Sequence, residues 1–158
     1  KRALITGAVG GLGQEIALTI AELGGDLLLV DLPNTDYTTV TQKVLDSCNV
    51  QVECVDCDLE NEVERNSLIS KVNTDSKGLN ILINNAAFVG TSGLEGWVTD
   101  FESQSVDTWR RAIEVNLTAV FHLSQGFAPL LKKSAGGAII NIASILISYS
   151  GMSLCVHV

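Results

Sequence analysis

The sequence contains no run of eighteen consecutive apolar residues, which excludes a membrane-spanning helix of ordinary length. Ala3-Leu4-Ile5 follows the basic pair Lys1-Arg2 like the start of a signal peptide. Thr6-Gly7 breaks the apolar run far short of an h-region, and the protein is expected in the cytoplasm. Basic residues are scarce: ten Lys and Arg stand against eighteen Asp and Glu, a net charge of −8. That sign is wrong for a protein whose main partner is a nucleic acid or an anionic membrane, though it leaves room for a small, localised phosphate site. The four cysteines, Cys48, Cys54, Cys57 and Cys155, have neither the number nor the spacing of a disulfide framework. Cys54 and Cys57 form a C-x-x-C, but they sit in an alternating stretch from Gln51 to Asp58. Residues three apart on a strand face opposite sides, which argues for separate buried or half-buried thiols rather than a shared metal or redox site. Internal repeats, low-complexity segments and linkers are also missing.

What is present is a globular composition. The 158 residues are 46% apolar and 18% charged, within the span of one domain and too dry for a mainly disordered chain. The reading is therefore a single domain over 1–158. The chain starts at Lys1 without a methionine, and a piece of a longer protein is an open expectation.

Strands and helices alternate along the chain. Ala3 to Thr6 reads as a short buried strand, Gly7 to Gly13 as a glycine-rich turn, and Gln14 to Leu23 as a helix stopped by Gly24-Gly25. Leu27 to Val30 is a continuous apolar run of strand length, as a sheet covered on both faces requires. Thr38 to Cys48 reads as a helix and 51–57 as a strand. Glu60 to Ser76 reads as a polar amphipathic helix carrying Val63, Leu68, Ile69 and Val72. Leu79 to Ala86 is expected as a strand, roughly 104–133 as one long helix, and Ala138 to Ile145 as a fifth strand. This order predicts an α/β, doubly wound parallel sheet of Rossmann type. The long connection from Phe88 to Ser103, with Trp97, Asp100, Phe101 and Glu102 as candidate anchors, leaves a strand end where substrate contacts or a lid would be placed.

The glycine turn carries the chemistry. In Thr6-Gly7-Ala8-Val9-Gly10-Gly11-Leu12-Gly13 the glycines allow a sharp turn, close approach to a pyrophosphate and tight helix packing, while the helix N-terminus offers unpaired N–H groups to the anion. The turn follows a strand, opens a helix and is followed eighteen residues after Gly13 by Asp31 at the end of the second strand. A carboxylate there can accept both hydroxyl protons of an adenosine ribose and repels a 2′-phosphate. With no Lys or Arg in the turn or between Leu32 and Thr41, the cofactor expected is NAD rather than NADP.

At this point the residues resemble the short-chain dehydrogenase/reductase family. The turn matches its T-G-x-x-x-G-x-G, Asp58-Leu59 its adenine-contacting Asp plus apolar residue, and Asn84-Asn85-Ala86-Ala87 is similar to its N-N-A-G. Asn116 in Val115-Asn116-Leu117 falls at its helical asparagine, and Ser144 at the serine ending its fifth strand. Gly10 and Gly11 together also satisfy T-G-x-x-G-x-x-G, the spacing of the longer sugar-nucleotide-modifying branch. Asn84-Asn85-Ala86, and Trp109 seven residues before Asn116, resemble the shorter branch. The resemblance implies hydride transfer between a nicotinamide and a secondary alcohol or ketone, a small-molecule substrate and a homo-oligomeric full-length parent. It implies that Gly7, Gly11, Leu12, Gly13, Asp31, Asp58, Leu59, Asn85 and Ala86 hold the cofactor. Asn116 would hold a water in a proton relay from a perturbed helix, and Ser144 would hydrogen-bond the substrate oxygen.

The family's reaction also uses a tyrosine about a dozen residues beyond the serine, followed by a lysine four residues later. A free tyrosine is only about 0.1% ionised at pH 7, so a neighbouring ammonium is needed to favour the phenolate. Here the thirteenth residue after Ser144 is His157, and the sequence stops at Val158. Tyr149 lies too near the strand end to match, and His157 has no visible orienting partner. The expectation is a cofactor-binding front portion, inactive as given, whose fifth strand forms an uncovered edge. Alternatives are a nucleotide-binding regulatory protein without catalysis and an epimerase or dehydratase of the longer branch.

Overall fold

The structure is a computed structural model that describes residues 1–89, 93–143, 148–150 and 153–155. Strand β1 (Arg2–Thr6) leads through the glycine turn into α1 (Gly11–Glu22), followed by β2 (Asp26–Asp31), α2 (Thr38–Leu45), β3 (Val52–Asp56), α3 (Glu62–Thr74) and β4 (Ile81–Asn84). A 3-10 turn (Phe101–Ser103) then precedes α4 (Val106–Ile113), a π-helical segment (Glu114–Thr118), α5 (Ala119–Lys133) and β5 (Ala138–Asn141). The five strands form one parallel sheet in the order β3-β2-β1-β4-β5. The chain reverses direction across the sheet between β1 and β4, and such a switch point opens a crevice at the carboxyl ends of the strands.

The apolar runs were expected to be covered on both faces, and they are. Alternate residues of each central strand enter two separate cores. Leu4, Leu28, Val30 and Leu82 pack with Leu68 and Val72 of α3 and Leu123 and Phe127 of α5. Ile5, Leu27, Leu29 and Ile83 pack with Ala17 and Ala21 of α1 and Val40 and Val44 of α2. Burying each such leucine or isoleucine contributes about 1.5–3 kcal/mol, which fixes the register of the sheet. Strand β5 joins neither core: all four of its residues are exposed, with Ile139 at 42% and Ile140 at 44%. The uncovered edge is as expected; Cys57 is buried as expected, whereas Cys54, expected at least half-buried, is exposed.

Several expectations are corrected. Helix α1 starts at Gly11 rather than Gln14, because Gln14 N already donates to Gly10 O at 2.9 Å. Strands β4 and β5 end at Asn84 and Asn141, short of the expected Ala86 and of Ile145, which lies outside the described residues. The long helix over 104–133 runs without a break from Val106 to Lys133, but a π-helical segment interrupts its α-helical hydrogen bonding. Ser105 caps α4 by accepting a hydrogen bond from Thr108 N at 3.2 Å, and the π-helical segment separates α4 from α5. On α3 the buried stripe is Arg65, Leu68 and Val72, while Val63 is 72% exposed. Of the four candidate anchors in the 88–103 connection, Trp97 alone is buried, against Trp109 with ring centroids 6.4 Å apart, whereas Asp100, Phe101 and Glu102 are exposed. An antiparallel ribbon of β6 (Ser148–Ser150) and β7 (Ser153–Cys155) was not foreseen. No helix among the described residues is long and apolar enough to cross a membrane.

Candidate functional site

The carboxyl ends of β1, β2 and β4 converge on the glycine turn, and side chains from all three strands hold it in shape. Thr6 Oγ1 accepts the backbone N–H groups of both Asn85 and Ala86, each at 3.0 Å. Asn85 returns the tie, its Nδ2 donating to Thr6 O at 3.0 Å and Gly7 O at 3.1 Å. Asn85 thus braces the turn with its side chain as well as its backbone. Gly7 has a φ of +64°, and a Cβ there would stand 2.8 Å from Ala86 Cα, so both conformation and space demand glycine. At Gly13 a Cβ would meet Gly7 O at 2.2 Å, so this residue lets the helix close down on the turn.

Gly11 is different. A Cβ there would meet nothing within 4 Å, so no contact inside the protein requires its absence. The space beside it is the mouth of α1, whose N-cap residue is Gly10, with no side-chain cap and no acid in its first turn. Uncapped N–H groups facing an open cradle are what an anionic group needs.

Asp31 closes the other side. Its Oδ2 accepts from Val9 N at 3.0 Å and its Oδ1 from Leu32 N at 2.9 Å, so the carboxylate is pinned to the glycine turn while each oxygen retains acceptor capacity. The spacing of glycines and acid in the sequence pointed to this meeting but not to the bond with Val9. Asp58 is held by the start of α3: its Oδ1 accepts from Glu60 N at 2.9 Å and its N–H donates to Glu64 Oε2 at 2.7 Å. Beside it the Cys57 thiol is pushed up to about 12 by burial, with the charges of Glu64 and Asp58 adding to the effect.

Two adjoining clefts result. One, about 460 Å³, is lined by Gly7, Gly11, Leu12, Gly13, Asp31, Asn85, Ala86, Asn116, Ile142 and Ala143 among others. The second, about 290 Å³, shares Gly7, Asp31, Ala86 and Phe88 with the first and adds Val30, Cys57, Asp58, Leu59 and Val115. Every expected site residue that the structure describes lies on one or both. Among the described residues neither lining includes a Lys or Arg. Ser144 and His157 lie outside the described residues, and Tyr149 is a β6 residue paired with Leu154, not a helical one.

Asn116 sits in the middle of the π-helical segment, a perturbed helix as the family resemblance implied. Its side chain is not turned to solvent. Oδ1 accepts from Phe88 N at 2.7 Å and Nδ2 donates to Phe88 O at 3.1 Å, so the amide clamps the backbone just beyond β4. The amide is therefore spent on Phe88. Phe88 in turn lies under the Arg111 guanidinium, 5.6 Å from its ring centroid, and Arg111 pairs with Glu60 at 2.8 Å.

Arg65 was missed, because a lone arginine on a polar helix gives no sign of burial. It is 1% exposed, and its guanidinium donates to Leu59 O, to Glu114 Oε1 at 2.6 Å and to His122 Nδ1 at 3.1 Å. One buried cation thus ties the wall of the smaller cleft to the π-helical segment. Among the described residues no group of three His, Cys, Asp or Glu side chains is placed to hold a metal ion.

Comparison with known proteins agrees with this geometry. The short chain dehydrogenase family model matches residues 1–156. The 7alpha-hydroxysteroid dehydrogenase of Escherichia coli (strain K12) is 34% identical over 145 residues, covering 92% of this chain and 53% of that protein. The D-beta-hydroxybutyrate dehydrogenase of Rhizobium meliloti (strain 1021) is 35% identical over 145 residues, 91% of this chain and 54% of that one. Among solved structures, a short-chain dehydrogenase from Sphingobium yanoikuyae in complex with NADPH superposes with a TM-score of 0.78 at 30% identity, over 91% of this chain and 54% of that chain. The chain spans about half the length of these relatives. With a parallel sheet, a glycine turn braced by Asn85 and a family match over nearly its whole length, the chain belongs to the short-chain dehydrogenase family.

Proposed function

We propose that this chain is the dinucleotide-binding portion of an NAD-dependent oxidoreductase that interconverts a secondary alcohol and a ketone. The observation that carries the reading is the continuous pair of clefts with an uncapped helix mouth at Gly11 and a fixed carboxylate at Asp31. The backbone N–H groups of Gly11, Leu12 and Gly13 would hold the pyrophosphate, and the spare acceptor capacity of Asp31 the adenosine ribose hydroxyls. Asp58 and Leu59 would flank the adenine. Gly7, Asn85 and Ala86 would form the floor, with Asn85 bracing the turn. When bound, the nicotinamide would supply the hydride acceptor or donor. Asn116 would keep Phe88 in place and offer its main-chain carbonyl to a water, and Ser144 would donate to the substrate oxygen as charge develops there.

The Sphingobium relative is described with NADPH. Here Asp31 and the lack of a cation on either cleft among the described residues support NAD, since a carboxylate at the ribose disfavours a 2′-phosphate. Fluorescence titration with NADH and NADPH tests both levels. NADH is expected to bind about tenfold or more tightly than NADPH, a difference of roughly 1.4 kcal/mol, and Asp31→Ala is expected to weaken NADH. Equal or tighter NADPH binding would overturn the NAD assignment; no binding of either would overturn the dinucleotide reading.

A further inference from the structure

We infer that Tyr37 is a positioning residue that sets the dinucleotide preference by holding Asp31 in place. The inference rests on the reading of Asp31 as the ribose acceptor. Three ties converge on that residue. Its carboxylate is held by the N–H groups of Val9 and Leu32, at 3.0 and 2.9 Å. Its main chain is held by Tyr37, whose Oη accepts the Asp31 N–H at 2.9 Å and donates to Val55 O at 3.0 Å. Asp31 and Val55 belong to neighbouring strands, β2 and β3, near their carboxyl ends. One hydroxyl thus bridges two strands at the residue that ends the first of them.

The connection between Asp31 and Tyr37 is shaped to bring the phenol back. Thr35 N donates to Leu32 O at 3.2 Å, Asn34 has a φ of +65°, and its N–H donates to Asp56 Oδ2 at 3.3 Å. Tyr37 then stands at the N-terminal cap of α2, where its ring packs against the core formed with α1 and α2. Burial raises the phenol above the ordinary tyrosine value, with Asp56 and Asp31 adding their charge, so the hydroxyl stays protonated and able to donate across the working pH range.

The physical consequence is specific. A ribose that donates two hydroxyls to one carboxylate needs that carboxylate fixed to a few tenths of an ångström. A nucleotide with a phosphate at the 2′ position cannot use those bonds. Loosening Asp31 therefore costs the cofactor without the phosphate and leaves the one with it little changed. A residue that only stabilised the fold would weaken both alike.

The test is titration of wild type, Tyr37→Phe, Asp31→Ala and the double variant with NADH and NADPH by fluorescence, with a thermal melt of each. Tyr37→Phe keeps the half-buried ring. It is expected to raise the NADH Kd about fivefold, the scale of one lost hydrogen bond, with the NADPH Kd unchanged within about twofold. In the Asp31→Ala background Tyr37→Phe is expected to add nothing. Equal weakening of both nucleotides, an unchanged NADH Kd, or an effect that persists without Asp31 would each overturn the inference. If Asp31→Ala weakens NADH and Tyr37→Phe does not, the ribose reading stands and only Tyr37 loses its role. If Asp31→Ala itself has no effect, the ribose reading fails and the inference with it.

Discussion

Strands β2 and β5 are built from similar residues and belong to the same sheet, yet they live in opposite environments. Leu27 to Val30 are each at most 1% exposed, between α1 and α2 on one face and α3 and α5 on the other. Ala138 to Asn141 pair with β4 in regular parallel register, but every one of these residues is open. Backbone pairing is therefore independent of cover. The difference teaches where the site gets its rigidity: the glycine turn and Asp31 hang from strands locked by two cores, whereas the end of β5, where Ile142 and Ala143 meet the larger cleft, is held on one side by backbone hydrogen bonds to β4 and by Asn84 Nδ2, which donates to Asn141 Oδ1 at 2.8 Å.

The contrast can be broken most directly with a pair of truncations. Leu28→Ala leaves a cavity in a core with no room to collapse and is expected to cost about 2–5 kcal/mol in urea unfolding, whereas Ile139→Ala is expected to cost roughly 0.5 kcal/mol. Equal costs would mean that β5 is covered in solution. The glycine turn sharpens the same distinction between packed and open positions. Gly13→Ala drives a methyl against Gly7 O and is expected to destabilise by about 1–3 kcal/mol. Gly11→Ala points into open space and is expected to melt like the wild type while binding NADH about tenfold more weakly; unchanged NADH affinity would show that the helix mouth holds no phosphate. Alkaline pH probes the packed side of the molecule. Burial raises the Cys57 thiol from 9.0 to about 12, so the folded state binds its proton more tightly than the unfolded chain. Its contribution to stability is full below about pH 9 and is lost as pH rises toward 12. Cys57→Ser is expected to flatten that alkaline decline in a series of thermal melts, and an unchanged slope would assign it to other groups.

Much of the architecture was legible in the chain. The apolar runs, the Gly24-Gly25 stop and the glycines before α1 act over a few residues, and local chemistry does not depend on the rest of the fold. The candidate site was legible as a set of positions, since the turn, Asp31, Asp58, Asn85 and Asn116 each stand at the end of a recognisable element or in a helix that disfavours them. The bonds they make were not. A continuous helix over 104–133 fits the apolar spacing, but the clamp of Asn116 on Phe88 involves residues twenty-eight positions apart and coincides with the π-helical segment. Arg65 reads as one more charge on a polar helix until Leu59, Glu114 and His122 are seen around it.

Sequence alone determined that this is a parallel α/β chain with a nucleotide-type turn and an acid at the end of its second strand, because φ preference, apolar period and helix-mouth donors are properties of short segments. Only the tertiary structure decided that Asp31 is pinned from Val9 and Tyr37, that Gly11 faces open space while Gly13 faces backbone, and that β5 is paired but uncovered. Those outcomes depend on which distant groups meet, and hydrogen bonds and steric contacts act only at the few ångströms that folding brings about.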